Sequence, residues 1–87
     1  MQGVRRLCDT YGILIIADEV MAGVGRTGDV WAHRQLGIDA DIITAAKGLT
    51  AAYLPLGATI VTERIAKHFE ENVFYGGLTY AARPCCV

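Results

Sequence analysis

An acid and a lysine each follow a short, mostly apolar run in this chain. Asp18 comes directly after residues 13–17, and Lys47 comes directly after residues 41–46. Continuous runs rich in branched apolar residues are typical of strands that are covered on both faces, as in parallel sheets. The carboxyl ends of neighbouring parallel strands face one crevice, where open α/β sheets bind ligands. We therefore expect Asp18 and Lys47 to lie at the same edge of one sheet.

A carboxylate and a lysine in one crevice suit chemistry on a pyridine ring that carries an aldehyde. The carboxylate of Asp18 could hold the ring nitrogen protonated, which lets the ring accept an electron pair from the substrate. The amine of Lys47 could bind the aldehyde as a Schiff base and then move a proton between two carbons. The pair therefore predicts a pyridoxal 5'-phosphate site. A plainer interpretation stays open, since acids after strands often cap helices and lysines often lie on solvated loops.

The rest of the pattern predicts the elements that position this pair. Apolar residues at helical spacing indicate helices, and short apolar runs indicate strands. Residues 21–28 form a glycine-rich loop between two of these elements. The order of helix, strand, helix, strand, strand and helix is that of an α/β fold. The predicted elements are a helix over 2–11 that ends at Gly12, a strand over 13–17, a short helix over 29–36 that Asp29 caps, strands over 41–46 and 56–61, and a helix that Thr62 caps.

Two other motifs resemble nucleotide-binding sites. Residues 23–28 match G-x-G-x-x-G, but in a dinucleotide fold the first glycine follows the strand closely. Here Asp18 and Glu19 stand between the strand and the glycines, where they would repel a pyrophosphate. The apolar run that ends in these two acids also resembles the metal-binding strand of an ATPase, which requires a phosphate loop upstream. No such loop occurs in the 87 residues, and an ATPase fragment stays open as a remote alternative.

The composition argues against several other classes of protein. The formal net charge is −1 and no basic stripe is present, so we expect no nucleic-acid partner. The longest strictly apolar run, residues 13–17, is far shorter than a membrane span, so we expect no membrane partner. Three cysteines without metal-ligand spacing predict free thiols in a reducing cytoplasm and no metal site. His33 and His68 are lone histidines on predicted helices and are expected at the surface.

The chain is apolar for its length. Hydrophobic residues make up 53% of its 87 residues, although a chain of this size buries only a limited fraction of its surface. We interpret the apolar strands as part of a larger sheet. Residues 1–87 are then expected to be a fragment of a larger domain, incomplete at both ends.

Five segments form an ordered series along essentially the whole chain: residues 7–20, 25–28, 41–49, 55–58 and 77–80. This series resembles that of the class III, fold-type-I pyridoxal-phosphate aminotransferases. The resemblance implies that the chain is part of the large cofactor-binding domain of such an enzyme, which has a mostly parallel sheet flanked by helices. Residues 53–57 and 74–80 are most similar to the omega-amino-acid:pyruvate branch, which includes the taurine–pyruvate and β-alanine–pyruvate enzymes.

The resemblance implies a role for each matched position. Asp18 pairs with the pyridine nitrogen, Val20 packs on one face of the ring, and Lys47 is the Schiff-base lysine. Thr79 hydrogen-bonds the cofactor phosphate, in this family usually that of the partner subunit, so the resemblance also implies a homodimer. Many relatives carry glutamine where this chain has Met21, and that glutamine reaches the ring hydroxyl. Met21 cannot make that bond.

The implied activity is transfer of an amino group from an omega-amino acid or amine to a keto acid such as pyruvate, by a cytoplasmic enzyme. An aminomutase of the same fold uses the same aspartate and lysine. It typically lacks the stretch that matches residues 25–28, which favours the transaminase. A non-catalytic fragment also stays open. We expect residues 1–87 alone to be inactive, because half of the cofactor cradle lies outside them.

Overall fold

Three short strands form one mixed sheet in the computed structural model, which describes residues 1–77. The strands are β1 (Ile16–Asp18), β2 (Ile42–Ala45) and β3 (Ala58–Val61), and they lie in the spatial order β1-β2-β3. β1 and β2 are parallel, with Asp18 opposite Thr44. β2 and β3 are antiparallel. The carboxyl ends of β1 and β2 therefore lie at the same edge of the sheet, as predicted.

Helices alternate with these strands, which confirms the expected α/β class. α1 ends as predicted, because Gly12 adopts the left-handed conformation with φ 66°. Thr62 precedes α3 as predicted, but its hydroxyl makes no capping hydrogen bond, and its carbonyl oxygen accepts from the N–H groups of Ile65 and Ala66. No helix in residues 1–77 is long and apolar enough to cross a bilayer. The helices are α1 (Gln2–Tyr11), α2 (Ala32–Gln35), a 3₁₀ helix (Lys47–Leu49) and α3 (Glu63–Glu71).

The first strand is shorter than the sequence predicts. It begins at Ile16 rather than at residue 13. The backbone N–H of Ile15 donates to the carboxylate of Asp41 (2.9 Å) instead of to a neighbouring strand. Within residues 1–77 this run is not covered on both faces, because Ile13 is 55% exposed and Ile16 is 61% exposed.

The starts of β3 and α2 also differ from the prediction. β3 begins at Ala58 rather than at residue 56. α2 begins at Ala32, and Asp29 does not cap it, because the Asp29 carboxylate accepts from the adjacent N–H of Val30 (2.7 Å). Trp31 thus occupies the position before α2, and its own side chain makes no capping hydrogen bond.

The interior of residues 1–77 holds polar as well as apolar side chains. Ile38 and Ala45 are its buried hydrophobic residues, whereas Glu19, His33 and Asp41 are its buried polar ones. Buried polar groups are stable only when they have partners. Glu19 pairs with His33, and Asp41 pairs with arginines of α1 and α3. Polar pairs therefore fix the relative positions of the elements.

Asp41 joins three elements at the edge opposite to Asp18. Its Oδ2 accepts from the guanidinium of Arg5 on α1 (2.8 Å) and from the N–H of Ile15 (2.9 Å). Its Oδ1 accepts from Arg64 on α3 (2.9 Å). The hydrogen bond from Arg5, followed by the one from Ile15, holds the pKa of Asp41 below its ordinary value. These bonds tie α1 and α3 to the beginning of β2.

Candidate active site

Asp18 is the last residue of β1, and only one of its two carboxylate oxygens accepts hydrogen bonds from residues 1–77. Its Oδ1 accepts from the hydroxyl of Thr44 on β2 (3.3 Å) and from the backbone N–H of Val20 (3.1 Å). Its Oδ2 makes no hydrogen bond with residues 1–77, and the residue is exposed. The carboxylate of Asp18 thus has a fixed direction and a free acceptor oxygen.

Lys47 reaches across the same edge toward the segment that follows Asp18. It begins the 3₁₀ helix just after β2, and its Nζ lies 2.8 Å from Sδ of Met21. A thioether sulfur is a weak acceptor, so it holds the amine less strongly than a carboxylate would. Lys47 forms no salt bridge with residues 1–77. The contact with Met21 brings the amine to the end of β1.

The glycine-rich loop over residues 21–28 packs closely onto both strand ends. A Cβ at Gly23 would lie 2.8 Å from the carbonyl oxygen of Glu19, and a Cβ at Gly48 would lie 3.1 Å from Cβ of Val24. Val24 itself has φ 59°, a left-handed conformation that is strained for a branched residue. The glycines allow close packing here and do not open a helix, since α2 begins after the loop has ended. This arrangement excludes the dinucleotide-binding interpretation of the motif.

Glu19 follows Asp18 and pairs with His33 in the interior. Oε1 of Glu19 accepts from the backbone N–H of His33 (2.7 Å) and lies 2.8 Å from Nδ1 of the His33 ring. Burial raises the pKa of Glu19, but the hydrogen bonds from His33 and from the N–H of Ala32 together lower it by more. The pKa therefore lies below its ordinary value. The expectation of a surface position for His33 is wrong, since His33 is only 9% exposed.

Three of the four residues predicted to act on a cofactor lie in the described part of the chain. Asp18 and Lys47 lie at one edge, and Val20 is half-buried beside Asp18. Thr79 lies outside residues 1–77. The sequence prediction does not include the pairing of Glu19 with His33. The available signal was a second acid directly after Asp18 at the end of an apolar run, because an acid that becomes buried there needs a donor.

Two clefts lie beside these elements. One of about 350 Å³ is lined mainly by apolar side chains of α1, β1 and α2, together with Asp18 and Glu19. The other, of about 420 Å³, lies at the opposite edge and includes Arg5, Asp41 and Arg64. Arg5 and Arg64 of the second cleft already pair with Asp41. The first cleft adjoins the candidate site, because Asp18 forms part of its wall.

Comparison with known proteins identifies the family. The class-III aminotransferase family model matches residues 1–87. The adenosylmethionine-8-amino-7-oxononanoate aminotransferase of Geobacter sulfurreducens is 44% identical over 97% of this chain and 20% of that protein. The acetylornithine aminotransferase of Corynebacterium efficiens is 45% identical over 97% of this chain and 20% of that protein. The chain thus spans about a fifth of the length of the curated relatives it matches.

Solved structures show the same likeness. The taurine:2-oxoglutarate aminotransferase from Bifidobacterium kashiwanohense, in complex with PLP and glutamate, matches with a TM-score of 0.88 and 52% identity over 92% of this chain and 18% of that chain. An (S)-enantioselective omega-transaminase from Thermomicrobium roseum matches with a TM-score of 0.84 and 42% identity over 91% of this chain and 18% of that chain. These matches confirm the expected family and its fold-type-I class, and they rule out an ATPase fragment. The chain belongs to the class-III aminotransferases, a family that uses pyridoxal 5'-phosphate.

Proposed function

We propose that this chain is part of the cofactor-binding large domain of a transaminase. The enzyme transfers an amino group from an omega-amino acid or amine to a keto acid such as pyruvate. The observation that carries the proposal is the contact of the Lys47 amine with Met21, three residues after Asp18. It supports a shared site, because a carboxylate and an amine at one edge are what this cofactor requires.

The side chains at this edge fit pyridoxal 5'-phosphate by their chemistry. Oδ2 of Asp18 is free of hydrogen bonds with residues 1–77 and would accept from the protonated ring nitrogen. The amine of Lys47 forms no salt bridge there, so it is available to bind the aldehyde covalently. Val20 would pack on one face of the ring, and Thr79 would hydrogen-bond the phosphate.

The cofactor, when bound, supplies an electron sink for the carbanion that forms at the substrate carbon. Asp18 would hold the proton on the ring nitrogen, and Thr44 orients Asp18 by donating to its Oδ1. Lys47 would bind the cofactor and would carry the transferred proton at Nζ. Because the Met21 sulfur is a weak acceptor, its contact with Nζ would not prevent Lys47 from binding the cofactor or from transferring a proton.

The class of amino donor that we propose is the one that the names of the similar solved structures indicate. The 52% identical structure is a taurine:2-oxoglutarate aminotransferase, and the 42% identical one is an omega-transaminase. These names favour a donor whose amine is terminal, and they make 2-oxoglutarate an acceptor to compare with pyruvate. The proposal includes a cytoplasmic homodimer, in which Thr79 of one subunit serves the cofactor of the other.

Amino transfer by the full-length enzyme tests the proposal. Taurine or β-alanine is the donor, pyruvate or 2-oxoglutarate is the acceptor, and the alanine or glutamate formed is measured. Lys47→Ala should abolish product formation. Lys67→Ala is the matched control, because Lys67 is exposed on α3 and pairs only with Glu63 within residues 1–77. Product formation by Lys47→Ala at the wild-type rate would refute the proposal, and turnover of an amino acid without any acceptor would indicate an aminomutase instead.

A further inference from the structure

Glu19 connects three parts of the chain at the residue next to Asp18. Its N–H donates to the carbonyl oxygen of Thr44 on β2 (2.9 Å), and its own carbonyl oxygen accepts from the N–H of Gly23 in the glycine-rich loop (2.9 Å). Its carboxylate accepts from the backbone N–H of His33 on α2 (2.7 Å) and lies 2.8 Å from the ring Nδ1. A single residue therefore ties β2, the loop and α2 to the end of β1.

The surroundings of Glu19 leave little room for rearrangement. Glu19 is 3% exposed, and a Cβ at Gly23 would lie 2.9 Å from Cβ of Glu19 and 3.1 Å from the ring of Trp31. Oε2 of Glu19 is buried without a donor in residues 1–77. Burial of a carboxylate is costly, and the two contacts with His33 offset that cost only in this arrangement, so they hold the Glu19 side chain in one position. The proposed chemistry does not itself use Glu19 or His33.

Adjacent residues at a strand end point to opposite sides, so a fixed Glu19 also fixes its neighbour. Asp18 is exposed, whereas Glu19 faces the interior. The bond from Gly23 to Glu19 likewise fixes the loop in which Met21 contacts the amine of Lys47. Both predicted cofactor contacts thus lie next to residue 19, whose backbone bonds the loop and whose side chain is bonded to His33.

We propose that Glu19, anchored by His33, is a positioning residue that aims Asp18 at the cofactor ring nitrogen and holds Met21 against Lys47. Glu19 itself touches neither cofactor nor substrate. This inference rests on the proposed function, in which Asp18 and Lys47 act on the cofactor.

The test compares three variants of the full-length enzyme. Glu19→Ala removes the acceptor for His33, whereas Glu19→Gln keeps an oxygen that accepts from the His33 N–H. Glu63→Gln is the matched control, because Glu63 is exposed on α3 and pairs with Lys67. The measurements are kcat per bound cofactor, KM for the acceptor, the pH titration of the bound cofactor's absorbance band, the melting temperature, and borohydride labelling of Lys47.

Glu19→Ala should lower kcat per bound cofactor about 100-fold, the effect of a misplacement of about 1 Å. KM for the acceptor should change little, because the substrate contacts are not altered. The absorbance titration should shift, because Asp18 no longer faces the ring nitrogen. Glu19→Gln should recover part of kcat, and Glu63→Gln should match the wild type in every measurement.

A merely structural role would give a lower melting temperature with kcat per bound cofactor and the absorbance titration unchanged, and that result would overturn the proposal. If Glu19→Ala fails to fold, His33→Ala carries the same test, since it removes the ring and keeps the backbone N–H. Unchanged kcat and titration in that variant would likewise overturn the proposal. Absence of borohydride labelling at Lys47 in the wild type would instead refute the proposed function, so the two failures are distinguishable.

Discussion

Replacement of Asp41 by alanine should destabilise the enzyme, mainly through the backbone of Ile15. The part-buried N–H of Ile15 would lose its acceptor, and an unsatisfied donor costs about 1–3 kcal/mol when it is buried. The bond to Arg64 adds at most about 1 kcal/mol, because the Arg64 side chain is 70% exposed. Arg5 would still pair with Asp9, so the substitution would not leave the Arg5 guanidinium without an ion-pair partner. We expect a loss of about 2 kcal/mol in the free energy of unfolding, most of it from the Ile15 amide.

The effect of Asp41 should depend on pH in one direction. Its pKa is lower in the folded chain than in the unfolded chain, where an aspartate has a pKa of about 3.9. The stabilisation by the charged form is therefore fully present above the unfolded pKa and is lost as the pH falls through the folded pKa. The difference in stability between the wild type and Asp41→Asn should be constant near pH 7 and should shrink only below about pH 4.

Urea unfolding of the full-length enzyme at several pH values measures this difference, and hydrogen exchange reports the Ile15 amide directly. Asp41→Asn should be less harmful than Asp41→Ala, because its amide oxygen can still accept from Ile15. Asp39→Asn is the matched control, because Asp39 is exposed and its side chain makes no hydrogen bond with residues 1–77. If Asp41→Ala unfolds at the same urea concentration as Asp39→Asn, or if exchange at Ile15 is unchanged, the reasoning fails.

Three further predictions concern the site. Gly23→Ala should lower the melting temperature, because its methyl group would lie 2.8 Å from the carbonyl oxygen of Glu19. Gly3→Ala, whose methyl group on α1 would have no other atom within 4 Å, should stabilise the enzyme by about 0.5–1 kcal/mol. Equal melting temperatures of the two variants would contradict this prediction. Met21→Gln should lower the dissociation constant for pyridoxal 5'-phosphate, because a glutamine can bond the ring hydroxyl, and an unchanged or higher constant would count against the proposed placement. Asp18→Asn should lower kcat roughly 100-fold or more with Lys47 still labelled by borohydride, and an undiminished kcat would contradict the role of the charge.

The edge shared by Asp18 and Lys47 could be predicted from the sequence, because it depends on local pattern and a general rule. Two continuous apolar runs predict two strands of a parallel sheet, and right-handed crossover connections place their ends at one edge. Parallel strands place their carboxyl ends together, and the residues after those ends follow directly. The left-handed Gly12 at the end of α1 was predictable for the same kind of local reason.

The features that depend on tertiary contacts could not be predicted. The pairing of Glu19 with His33 joins residues 14 apart that no periodicity connects, and it exists because α2 packs against the end of β1. The late start of β1 has a similar cause, since the carboxylate of Asp41 takes the N–H of Ile15. A sequence pattern shows that residues 13–17 are apolar, but not which of their backbone groups will find a side chain instead of a strand.

Covalent trapping of the cofactor tests the central claim most directly. The full-length enzyme is incubated with pyridoxal 5'-phosphate and reduced with borohydride, and the modified peptide is mapped by mass spectrometry. The account predicts that the label is concentrated at Lys47, with the exposed Lys67 as an internal reference for non-specific reaction. Equal labelling of Lys47 and Lys67, or a label concentrated on another lysine of the enzyme, would contradict it.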